Sequence, residues 1–141
     1  MNILVTGCAG FIGFHLSQFL CKKYKNSKIL GFDNLNNFYT PLLKRKRINI
    51  LKKNKNFFFR KIDLEDKIKI ENIFKKNNIE IVVHLAAQAG VRDSLKIPEA
   101  YLKSNFIGFL NIINISNKYK VKKFIYASSS SVYGDKKKFP L

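Results

Sequence analysis

Three glycines at three-residue spacing, Gly7, Gly10 and Gly13, follow directly on the short β-branched run Asn2 to Val5, and glycines so placed can hold a phosphate. Phe11 to Tyr24 carries apolar residues at helical spacing, so the glycines fall at a strand-to-helix turn. There Gly7 permits a turn that a Cβ would block, Gly10 lets backbone N–H groups approach a pyrophosphate, and Gly13 lets the helix pack close on the strand. The first helical turn, with the N–H groups of Phe11 and Ile12, faces the anion. Asp33 closes the next apolar run, Lys28 to Asp33, about twenty residues after Gly13. A carboxylate there can accept both hydroxyls of an adenosine ribose. It favours NAD over NADP, because a 2′-phosphate would lie against the carboxylate in a partly dry cleft.

His84 ends a buried run and His15 lies in the first helix; both read as packed or hydrogen-bonded, and neither has metal-ligand company, so no metal is expected. Cys8 and Cys21 lack metal or redox spacing and read as reduced, structural thiols. Arg92 can contact a substrate phosphate or carboxylate, or pair with its neighbour Asp93. Asn105 sits in an apolar helical stretch and needs a partner, either cofactor or backbone. Four serines, Ser128 to Ser131, come at the end of a core strand and read as a site.

The elements that must position these residues alternate. Strand-like runs at 2–6, 28–33, 57–62, 79–85 and 123–128 are separated by helical patterns at 11–24, 41–53, 66–77 and 98–119, with Pro41 and Pro98 in first helical turns. This is the rhythm of an α/β doubly wound parallel sheet covered on both faces. Right-handed crossovers predict the strand order 3-2-1-4-5, with a cofactor across the carboxyl ends where the order reverses. Gly134 to Leu141 read as loop. A doubly wound sheet usually continues past a fifth strand, so the chain reads as one dinucleotide-binding domain over 1–141, the N-terminal part of a longer protein whose substrate domain is absent. The fifth strand is then an apolar edge, and poor solubility is expected.

At 141 residues the chain is one domain's worth. No apolar stretch reaches a membrane span and the first strand starts at residue 2, so the expectation is a cytoplasmic protein without membrane contact. The net charge of +18 would ordinarily suggest nucleic acid. Here Lys, Asn, Ile and Phe together make up close to half of the chain, a skew across charged, polar and apolar classes alike, and no nucleic-acid partner is expected. The stretch Asn34 to Ile62, which includes Lys44-Arg45-Lys46-Arg47 and no acid, reads as a solvated helix face.

Three further segments join the glycine turn: Asp33-Asn34-Leu35-Asn36-Asn37-Phe38-Tyr39, His84-Leu85-Ala86-Ala87-Gln88-Ala89-Gly90-Val91-Arg92, and Tyr126-Ala127-Ser128-Ser129-Ser130-Ser131-Val132-Tyr133-Gly134. Together they resemble the extended short-chain dehydrogenase/reductases that act on nucleotide sugars, and within them most closely the UDP-glucuronate 4-epimerases. The resemblance implies a Rossmann fold, NAD as cofactor, a nucleotide-sugar substrate and a homodimer at full length.

Carried over by position, it implies that Gly7, Gly10 and Gly13 hold the pyrophosphate and that Asp33, with Asn34 beside it, holds the adenosine ribose. Asp63 and Leu64 flank the adenine. Leu85, Ala86, Ala87 and Gln88 form the small-residue loop under the nicotinamide half. Ser129 matches the position that hydrogen-bonds the reacting sugar hydroxyl, Ser130 and Ser131 are candidate contacts to the sugar carboxylate, and Arg92 is a candidate contact to a substrate phosphate or carboxylate. In such epimerases a tyrosinate takes the proton of the 4-hydroxyl as hydride leaves the same carbon; the 4-keto sugar then turns over and takes the hydride back on its other face. The Tyr needs its pKa lowered by about three units, which is why the family carries Tyr-x-x-x-Lys on one helix. Tyr24/Lys28, Tyr119/Lys123 and Tyr133/Lys137 have the spacing but not the context, so the catalytic pair is expected to be missing and the chain alone inactive. Asp93 departs from the aromatic residue expected after the Arg, which counts against a uronate substrate.

Overall fold

The computed structural model describes residues 1–38 and 40–136; Tyr39 of the second motif and Lys137–Leu141 of the tail lie outside them. The elements are β1 (Asn2–Thr6), α1 (Phe11–Lys23), β2 (Lys28–Asp33), α2 (Pro41–Leu51), β3 (Phe57–Lys61), α3 (Lys67–Lys76), β4 (Ile81–His84), α4 (Val91–Ser94), α5 (Pro98–Tyr101), a π-helical segment (Leu102–Gly108), α6 (Phe109–Lys118), β5 (Lys123–Tyr126) and a 3-10 turn (Ser130–Tyr133). The five strands form one parallel sheet in the order β3-β2-β1-β4-β5. That is the order expected from the sequence, and right-handed crossovers allow it.

Alternation along the strands sorts the core into two layers. Ile3 and Val5 of β1 and Ile29 of β2 pack with Phe14, Leu20 and Cys21 of α1 and Ile48 and Leu51 of α2. Leu4, Leu30, Phe32 and Val82 point to the opposite face, against Ile70 and Phe74 of α3 and Ile112 and Ile115 of α6. Helices therefore cover both faces, and the strands that carry the candidate site are buried on each side. Pro41 and Pro98 begin helices as expected, while α3 is capped by Asp66, whose side chain accepts from Lys69 N at 3.0 Å.

Three features differ from expectation. The expected strands at 57–62, 79–85 and 123–128 are each shorter, at Phe57–Lys61, Ile81–His84 and Lys123–Tyr126. The expected helix 98–119 is interrupted by the π-helical segment. Lys44 and Arg47, expected in a solvated face, turn inward, while Arg45 and Lys46 are exposed. The exposed side of the last helical stretch carries Leu102, Phe106, Leu110 and Ile113, and edge strand β5 exposes Ile125 and Tyr126. No helix of the described residues is long and apolar enough to cross a membrane.

Candidate functional site

The carboxyl ends of β1, β2 and β4 open into a cleft of about 700 Å³, mouth included, lined among others by Gly7, Gly10, Asp33, Asn34, Lys44, Asp63, Leu64 and Leu85 to Gln88. It runs across the strand ends from β3 to β4 and includes the junction of β1 and β4, where the strand order reverses. The glycine turn is tight: Gly7 has φ +69°, and a Cβ on it would stand 2.8 Å from Ala86 N. A Cβ on Gly13 would strike the Gly7 carbonyl and stand 3.0 Å from Cys8 Cα, so the close approach that Gly13 permits is to the loop itself as much as to the strand. Gly10 N donates to Gly7 O at 3.0 Å and Phe14 N to Gly10 O at 3.0 Å. No side chain caps α1, so its first N–H groups, with exposed Phe11 and Ile12 side chains around them, stand at an uncapped amino end.

Asp33 is buried at the end of β2. Ala9 N donates to its Oδ2 at 3.0 Å and Leu35 N to its Oδ1 at 2.9 Å, leaving each oxygen a further lone pair. Asn34 Nδ2 donates to Asp63 Oδ2 at 3.0 Å, joining the loops after β2 and β3, and Leu64 is buried behind them. Ala86 and Ala87 offer a floor of small side chains. Gln88 is fixed from two sides: its N donates to Asn105 Oδ1 at 2.7 Å, and Asn105 Nδ2 donates to its carbonyl at 2.9 Å. Asn105 thus meets backbone, one of the two partners open to it, from within the π-helical segment.

Residues that sequence reasoning did not assign to the site also line it: Thr6, Phe32, Asn36, Phe38, Lys44, Ile62 and Ser104. Thr6 Oγ1 accepts from Leu85 N and Ala86 N, both at 3.1 Å, so its own proton goes to His84 Nδ1 at 2.8 Å. His84 is thereby a neutral imidazole protonated on Nε2, packed 5.5 Å from the Phe109 ring. Burial lowers its pKa from 6.5 to about 4. The unfolded chain binds the proton below about 6.5 while the folded chain refuses it down to about 4, so stability falls as pH falls through this window. The expected loss is up to about 3 kcal/mol. Melting temperatures across pH 4–7 should decline less steeply in His84→Gln; equal slopes would refute this.

Arg92 is exposed and, among the described residues, forms no ion pair with Asp93. Ser129 Oγ accepts from Ser131 N at 3.2 Å at the start of the 3-10 turn, with Ser130 exposed beside it. These residues are outside the cleft lining. Burial raises the Cys8 thiol pKa, reinforced by Asp33, and raises Cys21 to about 11, which fits unreactive thiols. Among the described residues no group of His, Cys, Asp and Glu could hold a metal. Tyr24 and Tyr119 end helices, and Lys28 and Lys123 begin strands, so both pairs lie at the sheet's amino end, away from the cleft; Lys137 is outside the described residues.

A dinucleotide fits these residues: a glycine cradle that Cβ atoms would fill, an uncapped helix end for phosphate, and a buried carboxylate with lone pairs to accept hydroxyls. The family described as GDP-mannose 4,6 dehydratase matches residues 4–141. An uncharacterized protein of Methanocaldococcus jannaschii is 52% identical over 139 residues, 99% of this chain and 43% of that one. The UDP-glucuronate 4-epimerase of Thermodesulfobacterium geofontis is 47% identical over 130 residues, 92% of this chain and 40% of that one. A crystal structure of a UDP-glucuronic acid 4-epimerase from Bacillus cereus, in complex with UDP-glucuronic acid and NAD, superposes with a TM-score of 0.87 at 36% identity, covering 98% of this chain and 43% of that one. The chain thus spans about two-fifths of the length of the relatives it matches.

Proposed function

We propose that this chain, which belongs to the GDP-mannose 4,6 dehydratase family, is the NAD-binding part of a nucleotide-sugar 4-epimerase that converts UDP-glucuronate to UDP-galacturonate. The observation that carries the reading is the convergence on one cleft of the glycine turn, the buried Asp33 and the small-residue loop after β4. It is supported by the likeness to epimerases in sequence and structure.

When bound, NAD supplies a hydride acceptor and donor at its nicotinamide ring. Gly7, Gly10, Gly13 and the N–H groups at Phe11 and Ile12 would bind the pyrophosphate, and Asp33, with Asn34 beside it, the adenosine ribose, with Asp63 and Leu64 around the adenine. Leu85, Ala86, Ala87 and Gln88 would support the nicotinamide half, and Asn105 holds Gln88 in place for it. Ser129 would hydrogen-bond the sugar hydroxyl, with Ser130, Ser131 and Arg92 on the sugar carboxylate. Proton removal at the 4-hydroxyl needs a base at the cleft, and the Tyr/Lys pairs of the described residues stand at the other end of the sheet. The chain alone is therefore expected to bind NAD without turnover. A homodimer of the whole enzyme would cover the apolar face of Leu102, Phe106, Leu110 and Ile113.

Calorimetric titration of the folded chain with NAD should give saturable heat, and incubation with UDP-glucuronate and NAD should give no epimer. Absence of heat would overturn the cofactor reading, and turnover would overturn the reading of the missing base. Asp93 favours a second sugar, since an acid beside a uronate carboxylate repels it. Stronger NMR shifts at Ser129–Ser131 with UDP-galactose than with UDP-glucuronate would support that alternative.

A further inference from the structure

Lys44 is 8% exposed and lines the cleft. Its ammonium donates to the Asn36 carbonyl at 3.0 Å and to Asn36 Oδ1 at 2.6 Å. An ammonium has three donors, and the third has no acceptor among the described residues. Asn36 in turn donates from Nδ2 to Gln88 Oε1 at 3.4 Å, so Lys44 is fixed through a side chain that reaches both sides of the cleft.

The charge balance at this end of the cleft differs from what Asp33 alone would set. The charged lining residues are Asp33, Asp63 and Lys44. Both oxygens of Asp33 accept backbone N–H groups, and those of Asp63 accept from Asn34 Nδ2 and Glu65 N. Arg47, one turn beyond Lys44 on α2, donates to Ala9 O at 3.1 Å, and Ala9 N is the group bonded to Asp33 Oδ2. Lys44 interacts electrostatically with Asp33 and, among the described residues, is the one cation in the lining. A phosphate placed beside Asp33 would meet repulsion from Asp33 and Asp63 and an attraction from Lys44 that offsets part of it.

We propose that Lys44 is a coenzyme-specificity residue, turning a donor and a positive charge to the adenosine-ribose end of the cleft and reducing the rejection of a phosphate at the ribose 2′ position. This rests on the dinucleotide reading of the cleft. NAD remains a ligand; Lys44 sets how far 2′-phosphorylated dinucleotides are excluded.

The test compares 5′-AMP with adenosine 2′,5′-bisphosphate, titrated into the unsubstituted chain and into Lys44→Met and Lys44→Arg. The unsubstituted chain should bind the bisphosphate within about thirtyfold of AMP, Lys44→Met should shift that ratio about tenfold or more against the bisphosphate, and Lys44→Arg should keep it. A purely structural Lys44 would weaken both ligands alike, so an unmoved ratio overturns the proposal. Should Lys44→Met lose its cooperative melting, the unsubstituted ratio decides, and a penalty beyond thirtyfold overturns it. If neither AMP nor NAD binds the unsubstituted chain, the dinucleotide reading fails and this proposal with it; binding of NAD with an unmoved ratio sinks the Lys44 role alone.

Discussion

Replacing Gly13 with alanine should reduce NAD affinity at least about a hundredfold, because the new methyl has nowhere to go. It would strike the Gly7 carbonyl oxygen and lie 2.8 Å from the Gly7 carbonyl carbon and 3.0 Å from Cys8 Cα. All three are backbone atoms, so no rotamer change relieves the overlap. Gly7 cannot retreat, since it already holds φ +69° and its own missing Cβ faces the backbone of Leu85 and Ala86. The loop must open, breaking the Gly10 N to Gly7 O and Cys8 N to Phe32 O bonds that shape the phosphate cradle. The cost is about 3 kcal/mol or more, visible as a lower melting temperature alongside the lost calorimetric heat. Gly10→Ala offers a graded comparison, because its Cβ would meet one atom, Gly7 O, at 3.1 Å. NAD binding that survives Gly13→Ala and is lost in Gly10→Ala would contradict this geometry.

The sheet was legible because each strand is a short apolar run set between helical patterns, which is local information. Within such a run successive side chains take opposite faces, and the structure puts Ile3, Val5 and Ile29 in one layer and Leu4 and Leu30 in the other. The order of strands matches the one expected for a doubly wound sheet with right-handed crossovers. What the sequence hid was long-range and polar. Lys44 shares a face with Ile48 and Leu51, but it sits in a run of four cations whose average character is solvated. Thr6 and His84 are 78 residues apart, and only the pairing of β1 with β4 brings hydroxyl and imidazole together. Asn105, a polar residue in an apolar stretch, reads as needing a partner, but nothing in the sequence marks the π-helical segment that carries it. The identity of that partner, the Gln88 backbone, depends on where β4 ends.

Asp33→Asn should lower 5′-AMP affinity about tenfold to a hundredfold while leaving nicotinamide mononucleotide unaffected, since the second ligand does not reach the end of β2. A carboxylate there accepts from Ala9 N and Leu35 N and still has a lone pair on each oxygen for ribose hydroxyls. A carboxamide of the same size offers one acceptor oxygen and turns its NH2 toward the other backbone donor. Asp33→Ala leaves both N–H groups without their partner, and at about 1–3 kcal/mol for each buried group it should destabilise the fold as well as abolish AMP binding. Unchanged AMP affinity in Asp33→Asn would remove the carboxylate from the ribose site. The two charged residues also make opposed predictions: Asp33→Asn should move the bisphosphate-to-monophosphate affinity ratio toward the bisphosphate, and Lys44→Met away from it. A pair of shifts with the same sign would mean that the charges around β2 and α2 do not act on the ribose at all, leaving the loop's shape as the determinant of which nucleotide enters.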